Sequence, residues 1–383
     1  MTARRDTHFR RLYLHLFASA ACVLPVASYV LSTVGWGPAD IGVATAALGV
    51  AGTLASPLWG WLDDRRRWAP RAAVLGSAVA AAAAAFTLGR LPHPATWAGL
   101  ALFGATAGPL DALLTTRVLE SGAHGSRLGR IRAYGSVGWV VGLVLAASVL
   151  TLWPQHADWV LLTAALAAVT APMAWRRRDP SAATHSGPRA RGPLPVGAVL
   201  GVLAFTFPTE VAMSGVVQFT AGWAHQVLAA GPFLALSPIA LSAALELPVF
   251  PWVDRLARCL PALLVAVLAG PPLAVATGVL ALFPSTAGMI AVQPLIAASF
   301  ALWFVGQSRM LSQAAPAGQQ ASAQTLGSAL ATGGGGLLAG AVGGRVAEAA
   351  GYGALFGALA ALALAGTLPG LLRLAARRAR PVT

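Results

Sequence analysis

Residues 39–71 read ADIGVATAALGVAGTLASPLWGWLDDRRRWAPR: two dozen almost uniformly apolar residues that stop at a run of acids and arginines. A hydrocarbon slab about 30 Å thick takes roughly 20 such residues as a helix. With no water inside it to bond the backbone, only internally satisfied structure crosses. The stretch therefore reads as a membrane span ending in a charged loop. The pattern recurs, and spans are predicted at 12–33, 39–62, 72–90, 95–118, 131–153, 157–175, 196–220, 230–252, 259–281, 284–309, 324–345 and 351–373. An all-α membrane protein with twelve transmembrane helices follows. Composition agrees: the 383 residues are 57% hydrophobic and 10% charged, with a mean hydropathy of +0.71, which fits no ordinary water-facing surface. The first span is too long for a cleavable signal peptide and is followed by eleven like it.

The net charge of +14 comes from 26 basic residues, all of them arginine. Positive residues accumulate in cytoplasmic loops, and with the N-terminus inside, 22 of the 26 arginines fall on that side. Both termini are thus expected to be cytoplasmic in a cell inner membrane. Topology explains the charge, and no nucleic-acid role is expected. Trp36, Trp97, Trp153, Trp159 and Trp223 fall at predicted outer ends, while Trp59, Trp61, Trp68, Trp175 and Trp252 fall at inner ends. Indoles prefer those interfaces. Cys22 and Cys259 lack partners at metal-ligand spacing, and no Walker-type motif occurs, so neither metal, cofactor nor ATP is expected.

The longest polar stretch, 176–195, opens with three arginines and continues in Ser, Thr, Gly and Pro, a linker composition. It divides the chain into halves of six helices, 1–175 and 196–383. Asp64-Arg65 after the second helix is echoed by Asp254-Arg255 after the eighth, 190 residues later. Two such halves with a site between them near the midplane form an architecture of secondary transporters.

With these residues assembled, the chain resembles the major facilitator superfamily. Residues 60–71, GWLDDRRRWAPR, look like that superfamily's loop between helices two and three, with Gly60, Leu62, Asp64, Arg65 and Arg71 at the matching positions. The resemblance makes Gly60, Asp64, Arg65 and Arg71, with Asp254 and Arg255, gating residues. A carboxylate at a helix end facing arginines makes a charge-assisted latch. A narrower resemblance, to the branch holding the lactose permease, phenylpropionate permeases and nucleoside–proton symporters, rests on GPLDAL (108–113) and GRIRAYGSVGW (129–139). In the lactose permease an acid on helix four pairs with an arginine opening helix five, and a tryptophan beyond it stacks on the sugar. Asp111, Arg132 and Trp139 occupy those positions. The seven-residue spacing puts Arg132 and Trp139 on one helical face. Glu246-Leu-Pro-Val-Phe250 looks like the branch's helix-eight pattern, and Gln293, Phe300 and Arg309 like its helix-ten pattern. The histidines typical of helix ten in phenylpropionate permeases are replaced by Ile296 and Phe304.

Ionisable groups within spans normally face a cavity or a partner. Asp111, Glu210 and Glu246 are the candidate proton-coupling residues. Ser214, Val217 and Gln218 follow Glu210 at helical spacing, and pairing with Arg255, Arg258 or Arg309 is the structural alternative for Glu246. Candidate solute contacts are Asp111, Arg132, Trp139, Tyr29, Gln218, Trp303 and Gln307. Phe300, Trp303, Phe304 and Gln307 share a face, for which plain helix packing is the competing reading. The glycines from Gly333 to Gly344 read as close helix contact rather than a phosphate loop. The resemblance implies a monomeric transporter in the bilayer that moves a small organic solute (sugar, nucleoside or aromatic acid) by alternating access, with proton-coupled uptake as the first expectation. A proton-exchange exporter of sugars or drugs and a non-transporting membrane sensor are the alternatives. No nucleophile, base and orienting group converge at a spacing that suggests an enzyme.

One expectation concerns sides. A cysteine introduced within 176–195 should resist an impermeant maleimide in sealed cells and react after permeabilisation; ready labelling from outside would reverse the orientation.

Overall fold

The computed structural model describes residues 2–66, 92–120, 126–155, 196–315 and 319–378. Predicted spans 72–90 and 157–175 and the linker lie outside those residues. Helices α1 (Thr2–Ala21), α2 (Leu24–Thr33), α3 (Pro38–Arg66), α4 (His93–Glu120) and α5 (Ser126–Leu152) precede the linker. After it come α6 (Val196–Leu228), α7 (Pro232–Cys259), α8 (Ala262–Val267), α9 (Gly270–Leu282), α10 (Thr286–Ala291), α11 (Gln293–Ala314) and α12 (Gln320–Ser328). A π-turn at Ala329–Gly333, α13 (Gly334–Leu338), a second π-turn at Ala339–Gly343 and α14 (Gly344–Arg378) complete the chain. No strand occurs among the described residues, and nine stretches there are long and apolar enough to cross a membrane.

Several spans differ from their predicted form for local reasons. The first is two helices, because the chain turns at Cys22 and Val23 just ahead of Pro25, whose ring and missing N–H disfavour an unbroken ladder. The ninth is split into α8 and α9 at Leu268 and Ala269, just ahead of Gly270, Pro271 and Pro272, whose prolines disfavour an unbroken ladder. The last stretch, Leu326–Arg373, has 48 residues, about 72 Å of helix at 1.5 Å per residue and more than twice one crossing. It breaks at Gly351, where φ is 83° and ψ 166°. This is a backbone state that a Cβ would strain, and it separates the last two predicted spans.

α1 packs on α5 and α3 on α4, while α6 packs on α14 and α7 on α11. The N-terminal set then meets the C-terminal set along α5–α7, α2–α6 and the contact of α3 with the glycine-rich segment 329–343. That last contact is backbone on backbone. A Cβ at Gly42 would run into the carbonyl of Gly340, and one at Gly340 into the carbonyl of Gly42 and the main chain of Ala46. Small residues let helices approach where lipid offers no hydrophobic drive.

Hydrogen bonds also join the two sets at the end that carries Trp36. Glu348 accepts from the backbone N–H of Ala39 (3.0 Å), at the positive end of α3. Gln226 donates to the carbonyl of Trp36 (3.1 Å) and accepts from the Tyr352 hydroxyl (2.9 Å). Gly340→Ala should therefore lower the unfolding temperature of the detergent-solubilised protein, by about 1–3 kcal/mol of overpacking. Gly357→Ala, which meets nothing within 4 Å, should not. Equal unfolding temperatures for the two variants would contradict the backbone contact.

Candidate functional site

A cavity of about 420 Å³ lies between the N- and C-terminal helix sets, on the far side of the seal at Trp36. Such a volume suits a small organic molecule. Among the described residues, four ionisable side chains line it: Asp111 from α4, Arg132 from α5, Glu210 from α6 and Glu246 from α7.

Asp111 Oδ2 lies 3.4 Å from Arg132 Nη2, so the predicted pair forms. The guanidinium is also packed among rings: its carbon is 4.2 Å from the Phe17 centroid, 5.5 Å from Tyr13 and 5.4 Å from Phe304. A cation over ring faces is held by their quadrupoles, and Phe304 reaches across from the C-terminal set. Asp111 Oδ1 and Arg132 Nε are buried without a hydrogen-bond partner.

Glu246 makes none of the arginine pairings open to it in the sequence. Its Oε2 accepts from Ser136 Oγ at 2.7 Å, a bond from α7 to α5, and its nearest charged neighbour is Arg132. Ser136 follows Arg132 by one turn and precedes Trp139 by three residues, so all three share the cavity face of α5. Ser136 was not among the sequence candidates, although that i, i+4 spacing was available to point to it. Arg309 is engaged elsewhere: it donates to the carbonyls of Ala257 and Leu260 (3.3 Å for the latter), capping the negative end of α7.

Glu210 is 5% exposed and accepts from Ser214 at 3.4 Å, with Thr332 also within hydrogen-bonding reach. Two turns along, Gln218 ties three elements together, accepting from Thr45 on α3 (3.1 Å) and donating to the carbonyl of Gly336 (3.1 Å). Trp139 and Trp303 both line the cavity. The indole N–H of Trp303 is directed to the carbonyl of Thr206 (3.2 Å), so it is the ring that the cavity meets. Phe300 stacks on it at 6.1 Å.

Two sequence candidates lie away from the cavity. Tyr29 is 5% exposed and meets His225 edge-on at 5.2 Å, within the α2–α6 contact; the break before Pro25 gives α2 a course of its own. Gln307 does follow the stripe of Phe300, Trp303 and Phe304, but one turn further along α11. It is 4% exposed, beyond the cavity lining, because sharing a helical face does not set two residues at one depth.

The residues expected to gate are described only in part. The backbones of Gly60, Asp64 and Arg65 belong to the last turns of α3; their side chains and the whole of Arg71 lie outside the described residues. In the second half Asp254 is half-buried on α7, its Oδ2 facing Gly129 of α5, with Arg258 and Arg309 the nearest cations. Arg255 is exposed.

The family model described as "MFS_1 like family" matches residues 7–358, nearly the whole chain. The chain belongs to this major facilitator family. Over 120 residues it is 32% identical to the probable nitrate/nitrite transporter NarK2 of Mycobacterium tuberculosis, in two strains. That stretch is 31% of this chain and 28% of the relative, so the match spans little more than a quarter of NarK2. Among solved structures, a point mutant of the nucleoside transporter NupG superposes with a TM-score of 0.76 at 15% identity, covering 96% of this chain and 99% of that one. A POT family transporter in complex with a thioalcohol-conjugated peptide gives 0.75 at 10% identity, covering 98% and 97%. At such identities these likenesses speak for the fold, which is the major facilitator fold. The protein is accordingly a multi-pass membrane transporter and not an enzyme.

In this family member the Asp111–Arg132 pair has a measurable signature. A lone charge left in a desolvated site is worth several kcal/mol, so Asp111→Asn and Arg132→Gln should each reduce solute binding by about tenfold or more. The double variant should lose less than the two single losses combined. Strictly additive losses in a binding titration would mean that the two groups act separately.

Proposed function

We propose that this chain moves a small organic solute across the inner membrane by alternating access, coupled to protons and running as uptake. Its two six-helix halves, 1–175 and 196–383, rock about the central cavity while the linker 176–195 and both termini stay cytoplasmic, and the seal at the Trp36 end is its outer gate. The observation that carries this reading is the Ser136–Glu246 hydrogen bond: it crosses between the helix sets inside the cavity, one turn from the Asp111–Arg132 pair.

A carboxyl in that position answers to both partners of a transport cycle. Rocking the halves stretches or closes its bond to Ser136, and a solute on Arg132 changes the field it feels. A group whose protonation depends on conformation is what couples a proton to a moving gate. Glu246 is therefore the proton carrier in this reading, with Glu210 and Asp111 the other carboxyls at the site. Arg132 and Asp111 bind a polar group on the solute, Trp139 and Trp303 offer flat apolar surfaces, and Gln218 borders the same space.

The test uses proteoliposomes. Glu246→Gln should abolish accumulation driven by an imposed pH gradient but preserve solute exchange at equal concentrations, because exchange needs no net deprotonation. Continued uphill accumulation by the variant would remove Glu246 from the coupling role. Solute efflux driven by an inward proton gradient would show the exporter instead.

A further inference from the structure

The charges around the cavity do not balance. Among the described residues that line it there is one cation, Arg132, against three carboxyls, Asp111, Glu210 and Glu246. Arg132 is already engaged by Asp111. With every group ionised the site carries two uncompensated negative charges, in surroundings where an unpaired charge is strongly disfavoured. That compensation comes as protons on the carboxyls or as a positive charge on whatever fills the cavity before the halves close over it.

We propose that the transported solute carries a protonated amine on a flat apolar body, with Glu210 as the counter-ion of the amine. This rests on the transport reading above and names its substrate class. Glu210 is the carboxyl left for a ligand. It is almost wholly buried, faces the cavity, and no Arg or His nitrogen lies within ion-pair distance among the described residues, its partners being the hydroxyls of Ser214 and Thr332. A Cβ at Gly335 would come within 3.0 Å of Glu210 Cγ, so the bare backbone of α13 makes the space in which its side chain sits. The rings of Phe300, Trp303 and Trp139 in the same lining suit an apolar body, and their faces favour a cation near its end.

The count then closes. One proton on Glu246 and one ammonium on Glu210 bring the four ionisable groups to zero, so with a single proton aboard it is the amine-loaded cavity that is neutral. A neutral sugar with a proton leaves one negative charge, and an aromatic carboxylate with a proton leaves two. The aromatic acids implied by the branch resemblance are thus the least suited of the candidate solutes, and like charges at these separations repel most where water is excluded.

The experiment uses the purified full-length protein and three probes of one shape: 3-phenylpropylamine, 3-phenylpropanol and 3-phenylpropionate. Binding is read from the fluorescence of the cavity tryptophans and from thermal stabilisation. The amine should bind about tenfold or more tightly than the alcohol, with the carboxylate weakest. Glu210→Gln should bring amine and alcohol affinities within about twofold of each other. The wild-type series alone is decisive, so the proposal does not depend on the variant folding. A carboxylate that binds as tightly as the amine, an unchanged amine preference in Glu210→Gln, or no binding by any probe at millimolar concentration overturns it. Counterflow in proteoliposomes separates the two readings: an amine that binds but never crosses sinks the transport reading alone, whereas transport of the carboxylate sinks the amine assignment alone.

Discussion

A charge inside a hydrocarbon slab must find a partner or give up its charge, and the middle of this molecule is organised by that rule. Asp111 answers it with Arg132. Arg132 is enclosed further by Phe17 and Phe304, and Glu246 takes the hydroxyl of Ser136. The contacts of Arg132 with Phe304 and of Ser136 with Glu246 tie the two helix sets together at the cavity. Because they are polar, they are also the contacts that a proton or a solute can remake.

Around them the structure is held by opposite means. At the Trp36 end the sets meet through bare backbone and a few hydrogen bonds: Gly42 against Gly340, Glu348 on the first turn of α3, and Gln226 between Trp36 and Tyr352. Apolar packing does not distinguish a neighbouring helix from lipid, so close approach and main-chain contact have to supply specificity. An interface of that kind separates as a unit, which suits a gate better than a core.

Much of this was legible from the chain alone where a physical signal is local. Runs of apolar length marked the spans, and the helical spacing of Arg132 and Trp139 put both on one face. Asp111 with Arg132 came from a motif, and the structure brings them together. Tyr29 lies off the cavity because the break before Pro25 redirects α2, and Gln307 because periodicity reports direction around a helix and not depth along it. Ser136 was overlooked although it lies one turn beyond Arg132 on the same face, because a lone serine in an apolar span gives no sign of a partner 110 positions away.

The amino-acid sequence by itself determined that this is a multi-span membrane protein with arginine-rich loops, because the bilayer imposes length, apolarity and charge placement residue by residue. Only the tertiary structure decided which buried charges meet. Ser136 is 110 positions from Glu246, Thr45 is 173 from Gln218, and Ala39 is 309 from Glu348. Partners at such separations leave no local period to read. They are set by which helices lie side by side and by how closely glycine lets those helices come.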